Sequence, residues 1–120
     1  MGLTHVDVTL KQLTGKSGGY TSKFLVETGA TDTLAPASEL TRLGIEPEGT
    51  KTYELADGTR HKFSFGFVRV ELMGMPTVEQ VVFAPEGTEP LLGVTVLEHL
   101  GLVVDPVSNS LKRLPAVPLK

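Results

Sequence analysis

The chain reads as a series of alternating strands. In "THVDVTL", Val6, Val8 and Leu10 fall on one side of an extended backbone and Asp7 and Thr9 on the other, the period-two pattern of a strand with one buried face. "TGKSGG" then collects turn residues, and "YTSKFLVE", Tyr20 to Glu27, is expected to return as a second strand. A third strand, "KTYEL", runs into Ala56-Asp57-Gly58-Thr59, whose Asp-Gly pair marks a hairpin. "HKFSFGFVRVEL" leaves that turn with Phe63, Phe65 and Phe67 on one face. Near Gly66 the pattern reads as a change of register, because Val68 and Val70 carry the apolar alternation onward. "MGMP" turns into "TVEQVVF", and "LVVD", "PVSN" and "SLKRL" outline a last hairpin. The tail "PAVPLK" has two prolines and is expected to be irregular.

Helical spacing occurs twice and briefly. "PASELTRLG" offers Pro36 for a first turn, Leu40 and Leu43 three apart, and Gly44 as a stop; "GVTVLEHLG" spaces Val94, Leu97 and Leu100 and closes on Gly101. The expectation is an all-β fold with one or two short helices and no linker or repeat.

Composition narrows the function. The 120 residues fit one domain, taken as 1–120, large enough to bury a core. The eleven Lys and Arg residues are scattered and the net charge is −3, so neither a nucleic acid nor a membrane surface is an expected partner. There is no cysteine, which removes disulfides and thiolate zinc sites. His5, His61 and His99 are too dispersed for metal-ligand spacing, so no metal and no cofactor are expected. No apolar run reaches membrane-spanning length, and the N-terminal stretch lacks the apolar core of a secretion signal. Gly2 follows Met1, but Val6 stands where a myristoylation motif needs Ser or Thr. The cytoplasm is the expected location. Ser22, Ser38 and Ser64 sit in no nucleophile-elbow context, and Asp105 before Pro106 reads as a turn starter.

One acid stands out. Phe24-Leu25-Val26 is a continuous apolar triplet, the mark of a strand buried on both faces, and Glu27 follows it directly. Thr28 can donate and accept a hydrogen bond, and Gly29 permits a close turn, so the segment can hold a carboxylate against backbone N–H groups at the base of a cleft. The plainer reading is an acid that caps a turn.

The residues themselves shift that balance. "LVETGATDTL" resembles the active-site loop of the retropepsin-like aspartic proteases, in which two apolar residues lead into Asp-Thr-Gly-Ala and then Asp-Thr and another apolar residue. Leu25, Val26, Thr28, Gly29, Ala30, Asp32, Thr33 and Leu34 fit, and Glu27 departs. "PLLGVTVLEHLGL" is similar to the family's second signature, with Leu91-Leu92-Gly93 opening a short helix, and the Ala56–Thr59 hairpin falls where the family places its flap. Viral members pair an Asp after the Ala with an Arg after the second-signature Gly. Here these are Thr31 and Val94, so both ends of that pair are absent together and neither charge is orphaned, which fits a cellular-type relative whose dimer interface is held differently.

The resemblance implies a small, closed, barrel-like acid-protease fold and an aspartic peptidase with no cofactor. One such loop per chain implies a homodimer, since the chemistry needs two carboxylates sharing a proton. It places Glu27, Thr28 and Gly29 at the catalytic position. Peptide or protein substrate would be bound by Ala30, Asp32 and the flap residues Ala56, Asp57, Gly58 and Thr59. Glu adds one methylene to Asp, roughly 1.5 Å of reach, in the most crowded part of the cleft. Its intrinsic pKa is about 4.3 against about 3.9, so geometry is the larger change and strongly reduced activity is expected. A natural enzyme with an adjusted pocket, a natural pseudoenzyme and an engineered substitution all fit Glu27; the otherwise intact loop favours the last. The alternative function is a catalytically silent peptide-binding or dimerisation module of the same fold.

Overall fold

A computed structural model describes residues 3–16 and 18–119; Gly2, Ser17 of the first turn and Lys120 of the tail lie outside them. Strands β1 (His5–Lys11) and β2 (Tyr20–Val26) form the expected antiparallel hairpin, in register from His5 opposite Leu25 to Leu10 opposite Tyr20. They are followed by β3 (Thr33–Pro36), α1 (Ala37–Arg42), β4 (Gly49–Glu54), β5 (Arg60–Leu72) and β6 (Met75–Ala84). Then come β7 (Leu91–Leu92), α2 (Val94–Leu100) and a closing hairpin of β8 (Leu102–Asp105) and β9 (Ser110–Arg113). The protein is mostly β-sheet with two short helices. Among the described residues, seven strands make one sheet in the order β1-β2-β7-β3-β6-β5-β4, and β8 pairs with β9 in a second. An additional β1–β5 pairing, Thr9 opposite Glu71 to Lys11 opposite Arg69, makes the hydrogen-bonded order return to its first strand and leaves β4 outside that ring.

The long strand β5 corrects one expectation. Its pairing with β6 runs unbroken from Phe65 opposite Val82 to Leu72 opposite Met75, so no register change occurs at Gly66. The two alternations belong to two faces of a single strand. Odd positions carry the phenylalanines, while Gly66, Val68, Val70 and Leu72 turn inward and are buried. Gly66 serves close approach instead of a bulge: a Cβ there would meet the Glu46 carbonyl oxygen at 2.7 Å. Two residues, Met73 and Gly74, join β5 to β6, both with positive φ, which matches the twist of the flanking strands.

Residues buried to 5% exposure or less from β1, β2, β5, β6, β7 and α2 meet in one cluster, among them Leu10, Phe24, Val70, Val81, Leu92 and Val96. Phe24 is fully buried while Leu25 and Val26 are only partly so, and the triplet before Glu27 therefore has two unequal faces. Helix α1 ends through Gly44 and α2 through Gly101, both with positive φ. Residues 114–119 have no regular structure, as the prolines of the tail imply. His99 in the last turn of α2 is bonded through Nδ1 to Glu79 of β6 at 2.6 Å; Thr77 donates to the same carboxylate oxygen at 2.8 Å. That buried acid is thereby satisfied, and it ties the helix to the sheet.

Candidate active site

The order of strands builds the site. Strand β7 lies between β2 and β3, parallel to the first (Val26 opposite Leu92) and antiparallel to the second (Leu34 opposite Leu91). The segment joining β2 to β3, Glu27 to Asp32, must therefore cross over the end of β7. It is fastened there by backbone bonds on both flanks. The N–H of Glu27 donates to the Leu92 carbonyl at 3.1 Å, and the N–H of Val94 donates to the Ala30 carbonyl at 2.8 Å. Thr95 donates to the Thr31 carbonyl from its hydroxyl at 2.9 Å. Beneath the crossing, the N–H of Gly93 donates to the hydroxyl of Thr33, a fully buried residue, at 3.0 Å. Gly93 is required by contact alone, since a Cβ would lie 2.5 Å from the Thr31 carbonyl oxygen and from the Asp32 carbonyl carbon.

Within the loop, the N–H of Ala30 closes a turn onto the Glu27 carbonyl at 3.2 Å. Gly29 does not adopt a left-handed backbone; its N–H donates to Oε1 of Glu27 at 3.0 Å, and a Cβ would crowd that oxygen at 3.2 Å. Thr28 is exposed, and among the described residues its hydroxyl has no hydrogen-bond partner within the chain.

Glu27, Gly29, Ala30 and Asp32 line a cleft of about 750 Å³, whose far wall is the β4–β5 hairpin with Leu55, Ala56 and Phe63. Of the hairpin residues expected to meet substrate, Ala56 lines this cleft; Asp57, Gly58 and Thr59 form the exposed tip beyond it, and Thr28 also lies outside the lining. The tip is a compact turn in which Leu55 donates to the Thr59 carbonyl at 2.8 Å and Gly58 has φ +85. Asp57 accepts from the hydroxyl of Thr59 at 2.6 Å and from its N–H at 2.9 Å, and these bonds, the hydroxyl first, hold the Asp57 carboxyl below its ordinary range.

Two side chains at the site were not anticipated. Tyr53 donates its hydroxyl to Oδ2 of Asp32 at 2.7 Å, and Lys51 reaches the same oxygen at 3.3 Å. Burial, then the hydrogen bond to Asp32 and the charge of that carboxylate, push the Tyr53 phenol well above its ordinary range, so it stays a proton donor. Lys51 and Tyr53 are two apart on β4 and so share a face. That spacing is legible in "KTY", but the carboxylate it serves lies 19 residues before Lys51. Among the described residues no group of three His, Cys, Asp or Glu could hold a metal ion. Among the described residues no helix is long and apolar enough to cross a membrane.

An acid-bearing loop that crosses a short strand, faced by a hairpin arm in an all-β fold, defines the retropepsin-like class. The family described as "gag-polyprotein putative aspartyl protease" matches residues 13–99, and the chain belongs to this retropepsin-like aspartic protease family. The solution structure of the simian foamy virus (mac) protease is similar in fold, with a TM-score of 0.56 at 18% identity, covering 78% of this chain and 91% of the viral one. No curated protein sequence matches the chain.

Proposed function

We propose that the protein is an aspartic endopeptidase assembled from two copies of the chain, with Glu27 of each in the place of the catalytic acid. Two adjacent carboxylates share one proton; the ionised member activates a water and the protonated member polarises the scissile carbonyl. The observation that carries this reading is the position of Glu27, at the end of β2 on the braced crossing loop and at the wall of the cleft. A second copy supplies the second acid, and the exposed Thr28 and its symmetry mate join the loops across the twofold axis. The β4–β5 arm closes over an extended peptide, pairing with its backbone. Ala30, Asp32 and Ala56 contact substrate directly, with Asp57, Gly58 and Thr59 forming the tip that closes. The domain comprises residues 1–120, and the cytoplasm is its expected compartment.

A second reading has its own observation. Glu27 is exposed and one methylene longer than the Asp of the family's loop, which favours a weakened or silent member of the family that binds peptide without turnover. Cleavage of a denatured protein by the chain and by its Glu27→Asp variant, between about pH 3 and pH 7 and with a statine-type inhibitor as control, separates the two. The peptidase reading expects the Asp form to cleave and this one to lag by on the order of 10²-fold, the usual cost of a misplacement near 1 Å. If neither form cleaves although both are folded dimers, the silent module replaces it.

A further inference from the structure

The Asp32 carboxylate is used on one side only. Oδ2 accepts from both Tyr53 and Lys51, whereas Oδ1 has no partner among the described residues. The side chain is 10% exposed and lines the cleft. No sealed side-chain oxygen or nitrogen in the described residues lacks a partner, so Oδ1 keeps some exposure, on a residue that lines the cleft. An acceptor so nearly buried and still open is a position for a donor that arrives with a ligand.

The charge of that acceptor is already matched. Lys51 Nζ also donates to Oε1 of Gln80 at 3.0 Å and lies 5.6 Å from the ring centroids of both Tyr53 and Phe65. The ammonium is thus fixed by four neighbours drawn from three strands and the crossing loop. A cation brought to Oδ1 would enter a partly dry pocket that already holds a like charge on the same carboxylate. A neutral donor would use the open oxygen without that opposition.

We infer that Asp32, Tyr53, Lys51 and Gln80 form a charge-compensated subsite that takes a substrate side chain with a neutral hydrogen-bond donor, an amide or a hydroxyl, and turns away lysine and arginine. Lys51 is the specificity-determining residue, and its removal opens the subsite to cations. The inference rests on the peptidase reading.

The test profiles cleavage of a mixed peptide library by the Glu27→Asp protein, alone and with Lys51→Met. The parent should favour Asn, Gln, Ser or Thr over Lys and Arg at one substrate position. Lys51→Met should raise Lys relative to Gln at that same position by roughly tenfold to hundredfold, the worth of a hydrogen bond to a charged group. Adding Asp32→Asn should erase the gain. Lys51 is 44% exposed at its side chain, and Lys51→Gln provides a second, polar replacement that removes the charge. If cleavage persists while both Lys51 variants leave the Lys-to-Gln ratio within about twofold at every position, the subsite is refuted and the peptidase stands. A parent that already prefers Lys or Arg there refutes it as well. No cleavage by any folded variant removes the peptidase reading, and the inference falls with it.

Discussion

Replacing Gly93 with alanine adds one methyl group at the point where β7 passes beneath the loop that carries Glu27. The backbone there, φ −79 and ψ 162, suits alanine, so the conformation itself costs nothing. All of the cost is contact. The new Cβ would lie 2.5 Å from two backbone atoms of Thr31 and Asp32, and ordinary contact begins at 3.4 Å, so loop and strand must part by about 0.9 Å. Overpacking of this kind costs about 1–3 kcal/mol. Parting the surfaces also stretches the Val94–Ala30 and Thr95–Thr31 bonds, each with a net worth of about 0.5–1.5 kcal/mol. We expect a loss of about 3–5 kcal/mol by urea unfolding, or about 4 °C of Tm per kcal/mol for a chain of this length. A displacement near 1 Å also lowers kcat/KM by on the order of 10²-fold, measured in the Glu27→Asp background. Gly66→Ala is the control: it meets backbone at 2.7 Å, away from the cleft lining, and should lower stability while sparing kcat. A Gly93→Ala protein within about 1 kcal/mol of its parent would refute the account of how the loop is seated.

Three further outcomes are expected. Thr33→Val keeps the shape and strips the hydroxyl that receives the Gly93 N–H, leaving a buried donor unpaired at a cost of about 1–3 kcal/mol, read by thermal unfolding, with Thr33→Ser restoring most of it. Phe24→Ala empties a fully buried site and should cost about 3–5 kcal/mol. The Asp57 carboxyl is held below its ordinary value, so its support of the hairpin tip is complete above the unfolded Asp range near about 3.9 and is lost as pH falls through the lower folded value. The Thr59 amide resonance, followed by NMR, should shift with a midpoint below that range; a midpoint at or above it would contradict the geometry of the turn.

Strand pairs joined by short turns were legible because their signal is local. Val6, Val8 and Leu10 repeat every second residue, and Asp57-Gly58 marks its own turn. Strands β3 and β7 were not predicted, since four residues and two residues carry no period of their own and are ordered by neighbours distant in sequence. Pro36, expected in a helical first turn, instead ends β3 opposite Ala84 and caps α1. Val96, fully buried, escaped the three-residue spacing drawn through Val94, Leu97 and Leu100. At the site, Glu27 and Asp32 were named from their motif. Lys51 and Tyr53 were not, because what matters about them is a partner that only folding supplies.

The way β5 is shared gives the molecule two grades of permanence. Residues 69–71 are flanked by β1 on one side and β6 on the other, so their amides are protected unless the whole ring of pairings comes apart. Before Phe65 the same strand has β4 as its pairing partner, and β4 lies at the end of the sheet order. The arm can therefore unzip and re-form while the body holds, a separate cooperative unit in hydrogen exchange whose border falls where Phe65 faces both Gly49 and Val82. One wall of the cleft belongs to that lesser unit, so displacing it costs the free energy of one hairpin and not of the fold.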